Sequence, residues 1–188
     1  MVKRCQWANY NEEMKKYHDN EWGVPVHDER KLFEAIILQG AQAGLSWNTI
    51  LQKRDNYRTA FDNFDYNKIV DYEERKVENL LQNEGLVRNR LKIESVISNA
   101  RVFVKIQEDF GTFNEYLWKF VNFEPIQNRL DSMDQLPAKT DLSIQISKDM
   151  KKKGFKFVGP TIMYALMQAI GMVNDHLTYC FRYGELKK

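Results

Sequence analysis

The stretch His176–Cys180, with the sequence His-Leu-Thr-Tyr-Cys, lies near the end of the 188-residue chain, and we expect it to decide the fold. Its histidine and cysteine are four residues apart, a separation that places two side chains on one face of a helical turn. A second pair, Cys5 and His18, lies near the start of the chain. Two thiolates and two imidazoles form a tetrahedral zinc site with no open position for a catalytic water. The sequence therefore predicts a structural zinc site, with Cys5, His18, His176 and Cys180 as ligands, that ties the N- and C-terminal segments together.

Two other interpretations of these four residues stay open. They could be buried cysteines beside ordinary histidines, or Cys5 and Cys180 could form a disulfide. A disulfide is the weaker explanation, since the sequence shows no secretory signal and we expect a cytoplasmic protein, whose thiols stay reduced. The third histidine, His27, lies outside both pairs and is interpreted as a surface residue before a helix.

Length and composition indicate an ordinary globular protein with one domain, residues 1–188, and with both termini in the same lobe if there are two lobes. Hydrophobic residues make up 43% of the chain and charged residues 29%. No apolar run approaches the roughly 18 residues that a membrane helix needs, so the sequence excludes a membrane-spanning protein. The net charge of +2 is too small to establish a nucleic-acid partner by itself. Nothing in the sequence indicates an obligate dimer, and we expect a monomer.

Helical periodicity predicts an all-α fold. Asp28 is predicted to cap a helix. The apolar face of that helix consists of Leu32, Phe33, Ile36 and Ile37. The segment Cys5–Pro25 has no regular helical period. The segment Leu38–Trp47, with two glycines, is predicted to be a tight loop, after which Ser46 caps a helix from Trp47 to Arg54.

The rest of the chain predicts further helices separated by short turns. The predicted helices are Tyr57–Phe61, Lys68–Tyr72, Glu73–Gln82, a long amphipathic helix from about residue 91, Phe113–Val121, Asp141–Lys153 and an apolar helix from Pro160 to Gly171. The connection Phe123–Thr140 is predicted to be irregular. A helix, a tight turn at Gly85 and a second helix follow one another, and Arg88, Arg90 and Lys92 at the start of the second helix suit a phosphate.

Aromatic and small residues predict a slot for a flat ring. Three of the four tryptophans, Trp7, Trp22 and Trp47, lie in the first quarter of the chain. Aromatic side chains around small residues can hold a planar base beside a basic hairpin that binds a phosphate backbone. The alternative is that the tryptophans belong to the core and that Lys151–Lys153 is simply a solvated face.

Five motifs over nearly the whole chain are specific enough to indicate a family. They are RCQW at 4–7, YHDNEWGVP at 17–25, QAGLSW at 42–47, KGFKFVG at 153–159 and GMVNDH at 171–176. Together they resemble the bacterial 3-methyladenine DNA glycosylase I family, a zinc-containing branch of the helix-hairpin-helix glycosylases. The resemblance implies a helix-hairpin-helix glycosylase-like fold and a place in base-excision repair.

The resemblance also implies roles for individual residues. Cys5, His18, His176 and Cys180 match the structural zinc ligands of the family. Trp7, Tyr17 and Trp47 match residues that line the base pocket. Gly44 and Leu45 match the loop that enters double-stranded DNA, with the leucine as a wedge. The hairpin from Gly85 to Arg90 matches the element that grips the DNA backbone, with Arg88 and Arg90 as contacts, although it lacks the Gly-apolar-Gly pattern of the superfamily.

The implied reaction is hydrolysis of the N-glycosidic bond of 3-methyladenine in alkylated DNA. Methylation makes the base cationic, so that it leaves as a neutral molecule and needs little catalytic assistance. Stacking on aromatic rings favours such a cation by roughly 0.5–2 kcal/mol. Other helix-hairpin-helix glycosylases use an aspartate downstream of the hairpin, whereas this family lacks one. Asp109, which lies downstream here, is interpreted as a polar residue at a helix end.

Gln39 is the main departure from the family. It occupies the position at which the family has a glutamate that hydrogen-bonds the flipped base. Loss of the charge is expected to weaken that bond and to slow the enzyme about tenfold. Gln39 could be an engineered substitution, a natural and active variant, or the mark of a protein that binds alkylated DNA or free 3-methyladenine without catalysis. A DNA-binding protein without any base pocket is a third hypothesis.

Overall fold

Ten α-helices and two very short strands form the fold of residues 2–187, the part of the chain that the computed structural model describes. The helices are α1 Glu12–Asn20, α2 Glu29–Ala41, α3 Trp47–Ala60, α4 Tyr66–Ile69, α5 Glu74–Leu81, α6 Arg90–Phe110, α7 Phe113–Trp118, α8 Asp141–Lys153, α9 Pro160–Ala169 and α10 Phe181–Glu185. Single 3-10 turns occur at Gln6–Tyr10, Asp62–Phe64, Lys119–Val121 and Met133–Gln135. The predominance of helix agrees with the predicted fold class.

Two short strands are the departure from an all-α fold. β1, Ile126–Gln127, pairs in parallel with β2, Val173–Asn174, with Ile126 opposite Val173. A bridge between Leu130 and Leu177 continues the same alignment. The predicted irregular connection Phe123–Thr140 therefore contains one strand, which fixes the segment that leads into His176.

Helix α2 forms as its sequence predicts. The Asp28 side chain accepts a hydrogen bond from the Lys31 backbone N–H and caps the helix. The four residues of the predicted apolar face are all buried, namely Leu32, Phe33, Ile36 and Ile37. α2 packs against α9 and α6, so that this face lies in the centre of the larger apolar cluster.

The N-terminal segment is helical, contrary to the prediction of irregular structure there. Asn11 caps α1 by accepting from the Met14 backbone N–H, and two glutamates in the first turn suit the helix dipole. Met14, Tyr17 and His18 form the buried face. Polar residues dominate this helix, which is why hydrophobic periodicity alone does not detect it.

The predicted loop at Leu38–Trp47 is shorter than the sequence suggests. α2 continues to Ala41, so that Gln39 and Gly40 are helical and residues 42–46 form the loop. A side chain at Gly40 would place its Cβ 3.2 Å from Cβ of Phe157, so this glycine permits close packing. Ser46 caps α3 as predicted, but α3 extends beyond Arg54 to Ala60.

A second, smaller apolar cluster combines residues from both ends of the chain. It contains Cys5, Met14, Tyr17, Trp22, Leu51, Leu177 and Cys180. Trp47 packs against both this cluster and the larger one. The two ends of the chain therefore share one part of the core. Among residues 2–187, no helix combines the length and apolar character needed to cross a membrane.

Candidate functional site

Four ligand-type side chains from the two ends of the chain meet in one buried cluster. Cys5 precedes the first 3-10 turn, His18 lies on the buried face of α1, His176 follows β2, and Cys180 lies immediately before α10. All four are buried, and their ligand atoms lie within 4.8 Å of one another. The structure thus brings together the four residues that the sequence singles out, and they could hold a metal ion.

The spacing of the donor atoms fits a tetrahedral ion. With metal–sulfur bonds of about 2.3 Å and metal–nitrogen bonds of about 2.0–2.1 Å, sulfur and nitrogen ligands should be about 3.6 Å apart. Sγ of Cys5 lies 3.7 Å from Nδ1 of His176. Sγ of Cys180 lies 3.6 Å from the same nitrogen and 3.4 Å from Nε2 of His18. The donor set and its dimensions therefore suit zinc.

The outward ring nitrogens of both histidines have hydrogen-bond acceptors. Nδ1 of His18 lies 2.7 Å from Oδ1 of Asp19, and Nε2 of His176 lies 3.0 Å from the backbone oxygen of Trp22. Each imidazole can therefore donate outward and present an unprotonated nitrogen to the cluster. Burial alone would raise the pKa of Asp19, but hydrogen bonds from Arg4 and His18 outweigh it and lower that pKa.

The two thiols are free and influence each other's protonation. Hydrogen bonding between them raises the pKa of Cys5 and lowers the pKa of Cys180. A lowered thiol pKa favours the thiolate, which is the form that binds a metal. The structure contains no Cys5–Cys180 disulfide, so that alternative is not what the fold adopts.

The segment His176–Cys180 is not the helical turn that its spacing predicts. Residues 178 and 179 form a turn, and the Cys180 backbone N–H donates to the Leu177 carbonyl at 2.7 Å. Pairing of Leu177 with Leu130 holds the chain extended before this turn. The turn nevertheless directs both side chains inward, so the predicted pairing of His176 with Cys180 is correct although its cause differs.

An aromatic cavity of about 260 Å³ lies beside this cluster. Its wall includes all three residues predicted to line a pocket, Trp7, Tyr17 and Trp47, together with Gln39. Burial raises the pKa of Tyr17, so its hydroxyl stays protonated at neutral pH. Sequence reasoning missed other lining residues, among them Met14, Gln42, Ala165 and Gln168. Ala165 and Gln168 are three residues apart on α9. Ordinary core helices show the same spacing, so it does not indicate a pocket.

The aromatic rings are held against one another and against the Cys/His cluster. The ring centroids of Tyr17 and Trp47 are 5.1 Å apart, and those of Trp7 and Tyr17 are 6.3 Å apart. Trp22 lies 5.1 Å from Trp7 and 4.7 Å from His176. Trp22 also lines the cavity, so one residue of its wall packs directly against the ligand cluster.

Two polar groups at the cavity have no partner within residues 2–187. Gln39 lies in the last turn of α2 and is 4% exposed, and no protein group hydrogen-bonds its side-chain amide. The indole N–H of Trp47 is buried and also has no partner. A buried N–H is normally hydrogen-bonded, so the indole of Trp47 is available to an acceptor on a ligand, and the amide of Gln39 is available beside it.

A second cavity of about 500 Å³ adjoins the first and shares Tyr17, Gln39 and Trp47 with it. Two ion pairs line it, Arg54 with Glu21 at 2.6 Å and Arg58 with Glu34 at 2.7 Å. These pairs link α3 to the end of α1 and to α2. They therefore hold Tyr17 and Trp47 in their relative positions.

The loop after α2 has an exposed apolar tip. Gly44 has a φ of +76°, a conformation that favours glycine, and Leu45 is 41% exposed. The ammonium group of Lys92 donates to the carbonyl oxygens of Ala41 at 2.8 Å and Ala43 at 2.6 Å. The loop is therefore attached to the start of α6. Burial lowers the pKa of Lys92, and the hydrogen bonds of its ammonium group go to the end of α2 and the following loop.

A turn at residues 82–89 joins α5 to α6 and contains the predicted hairpin. A side chain at Gly85 would place its Cβ 2.7 Å from Asn56, so the turn packs closely on α3. Arg88 is exposed, 4.0 Å from Glu84. The Arg90 guanidinium forms ion pairs with three carboxylates, those of Glu74, Glu78 and Glu94. Arg88 is thus the less neutralised of the two predicted DNA contacts.

Comparisons with known proteins agree on one family. The family model described as methyladenine glycosylase matches residues 7–183. DNA-3-methyladenine glycosylase 1 of Escherichia coli (strain K12) is 46% identical over 182 residues, which cover 97% of each chain. A crystal structure of 3-methyladenine DNA glycosylase I superposes with a TM-score of 0.93 at 49% identity, over 95% of this chain and 98% of the other. A tyrosine-to-phenylalanine variant of such an enzyme, in complex with 3-methyladenine, superposes with a TM-score of 0.92 at 31% identity over 95% and 96%.

Proposed function

Since this chain belongs to the methyladenine glycosylase family, we propose that it excises 3-methyladenine from alkylated DNA and that the aromatic cavity receives the flipped base. The reaction is hydrolysis of the N-glycosidic bond in base-excision repair. The observation that carries the proposal is the convergence of Trp7, Tyr17, Trp47 and Gln39 on one cavity of about 260 Å³. A cavity of this size, below the usual range for drug-sized ligands, suits a single purine.

The cavity suits a cationic, electron-poor ring. Aromatic faces attract a cation by roughly 0.5–2 kcal/mol, and an ordinary neutral base gains little of this energy. The bond to a 3-methylated base is already weak because the base departs as a neutral molecule. Selection and orientation of the flipped base are therefore the main tasks of the protein, and a strong general acid is not required.

Gln39 provides a neutral acceptor at the position of the family glutamate. Its carbonyl oxygen can accept from the base, but without the added strength of a charged acceptor. The expected consequence is a reduced rate. Should that loss abolish excision, the second candidate function is a non-catalytic binder of alkylated DNA or of free 3-methyladenine, with the same cavity and the same base.

The exposed Leu45 suits the role of a wedge that fills the space left by the flipped nucleotide. The left-handed backbone at Gly44 gives that leucine its position at the tip of the loop. We propose that the turn at residues 82–89 acts as the helix-hairpin-helix element, with Arg88 and Arg90 near the DNA backbone. Attachment of the loop to α6 through Lys92 keeps wedge and hairpin in a fixed relation.

We propose that Cys5, His18, His176 and Cys180 bind zinc. With four protein ligands the ion has no open position, so its contribution is structural. It would join both ends of the chain and support Trp22, which lines the cavity. Two free, buried thiols suit a reducing compartment. We therefore propose that the protein acts in the cytoplasm, as a monomer with one domain.

The test of the proposed function is release of 3-methyladenine from methylated double-stranded DNA, measured by chromatography of the freed bases. The native protein should release 3-methyladenine and leave unmodified adenine in place. Trp47→Ala should abolish base binding and release while far-UV circular dichroism stays native. Global unfolding of that variant, with no base released by the native protein, would instead support the hypothesis that the tryptophans are core residues.

A further inference from the structure

A buried carboxylate behind the aromatic cavity fixes the orientation of one polar side chain in its wall. Asp175 is 1% exposed. Its Oδ1 accepts from the amide of Asn128 at 2.6 Å, and its Oδ2 accepts from the hydroxyl of Tyr164 at 2.6 Å and from Nε2 of Gln168 at 2.8 Å. Gln168 lines the cavity from α9. One side chain of the cavity is thus held from behind by a carboxylate.

The bond to Asp175 decides which atom of Gln168 remains available. Nε2 of Gln168 donates to Oδ2 of Asp175, so the side-chain oxygen of Gln168 points away from the carboxylate. Burial and Asp175 both raise the pKa of Tyr164, which therefore remains a donor and cannot relieve Gln168 of that role. Within residues 2–187 the side-chain oxygen of Gln168, Oε1, has no protein partner. It is a fixed acceptor at the wall of the cavity.

The other two glutamines of the cavity are not oriented in this way. Gln39 and Gln42 line the same cavity, and within residues 2–187 neither side-chain amide has a hydrogen-bond partner in the protein. Each of these amides can present either its nitrogen or its oxygen to a ligand. An amide that no protein group orients can serve as donor or acceptor, so it does not by itself distinguish the two on a base.

On the basis of the proposed function, we propose that Gln168 determines specificity by accepting a hydrogen bond from the exocyclic amine at C6 of the flipped base. Adenine carries a donor at C6, whereas guanine carries a carbonyl oxygen there. A 6-oxo purine would place two acceptors against each other and leave both buried without a donor. Gln168 therefore selects 3-methyladenine over 3-methylated 6-oxo purines, and Asp175 is its positioning residue.

The experiment compares the affinities of free 3-methyladenine and 3-methylhypoxanthine, which differ at C6, by quenching of tryptophan fluorescence. The native protein should bind 3-methyladenine about tenfold more tightly. Gln168→Met has a side chain of similar length without an acceptor. It should weaken 3-methyladenine binding about five- to tenfold, leave the affinity for 3-methylhypoxanthine within about twofold, and thereby abolish the preference.

Two further variants separate this role from a general packing effect. Gln42→Met removes an amide from the same cavity. It should change the affinities for 3-methyladenine and 3-methylhypoxanthine by the same factor, so the preference for 3-methyladenine should remain. Asp175→Asn offers Gln168 either a donor or an acceptor, which lets its amide turn. The preference should fall in this variant, and a metal content equal to that of the native protein shows that the cluster is intact.

Equal affinities of the native protein for the two bases would overturn the assignment, even if Gln168→Met failed to fold. An unchanged preference in Gln168→Met would overturn it as well, and so would loss of the preference in Gln42→Met. Failure of the proposed function looks different. In that case no base is released from methylated DNA although the preference among free bases persists, whereas normal release with equal affinities contradicts the role of Gln168 alone.

Discussion

Gln39→Glu tests whether a negative charge at position 39 stabilises the cationic base in the cavity. Gln39 is 4% exposed, and its amide has no protein partner within residues 2–187. The arginines that line the adjoining cavity, Arg54 and Arg58, are each paired with a glutamate. A carboxylate introduced at position 39 would therefore have no free arginine from this wall as a partner. Its favourable interaction would be with the cationic base.

The size of the effect follows from the difference between charged and neutral hydrogen bonds. A bond to a charged group contributes about 1.5–3 kcal/mol and a neutral one about 1 kcal/mol. The difference corresponds to a gain of roughly tenfold in the rate of excision. Burial raises the pKa of the introduced carboxyl, whereas the positive charge of the bound base lowers it. The gain requires the carboxylate and is therefore lost as the pH falls through the pKa of that carboxyl.

The assay is single-turnover release of 3-methyladenine from methylated double-stranded DNA, with Gln42→Glu as the matched control. Gln42 lines the same cavity but lies in the loop after α2. We expect Gln39→Glu to be about tenfold faster than the native protein and Gln42→Glu to show no gain. Equal rates for the native protein and Gln39→Glu, or the same gain in both variants, would refute the reasoning. Release by Gln39→Glu alone would mean that charge at position 39 separates binding from turnover.

Three further predictions concern the wedge, the metal cluster and a glycine. Leu45→Ala should lower kcat/KM on methylated DNA about tenfold and leave the affinity for free 3-methyladenine unchanged, as a wedge outside the pocket requires; a parallel loss of both would contradict this. Cys180→Ser should reduce bound zinc well below one equivalent and lower the free energy of unfolding by about 3 kcal/mol or more; native stability without metal would contradict a structural site. Gly171→Ala should lower the free energy of unfolding, measured by thermal denaturation, by about 2–3 kcal/mol. Gly171 has a φ of +73°, and a Cβ there would lie 2.4 Å from the carbonyl carbon of Val24. The matched Gly44→Ala, with φ +76° and no atom within 4 Å, should cost about 1 kcal/mol, and equal losses would show that crowding is not the cause.

Local sequence signals are sufficient to predict a helix where a capping residue and an apolar face indicate the same start. Asp28 begins α2 as predicted, and Asp141–Lys153 is a helix with the predicted bounds. α1 was missed because its buried face includes a histidine, which hydrophobic periodicity does not count. β1 and β2 have two residues each, too few for an alternating pattern. Their pairing depends on contacts between segments almost fifty residues apart, which no local rule detects.

In the candidate site as well, some residues could be predicted from the sequence and others could not. Cysteine and histidine are rare in this chain, so their clustering could be predicted from sequence even though the predicted helical turn at His176–Cys180 was wrong. Gln168 could not be found in this way, because its orientation depends on a carboxylate that the fold places behind it. The ion pairs of Arg90 with Glu74 and Glu78 likewise arise from the packing of α5 on α6.

The most direct test of the account is an NMR titration of the four tryptophan indole N–H signals with free 3-methyladenine. Trp7 and Trp47 line the cavity, and the indole N–H of Trp47 is buried without a partner. Trp118 is an internal control because it is buried elsewhere and donates to the carbonyl of Val26 at 2.8 Å. We expect saturable shifts of the Trp7 and Trp47 signals, with the Trp118 signal unchanged. Unchanged Trp7 and Trp47 signals at saturating base would contradict the assignment of this cavity as the base-binding site.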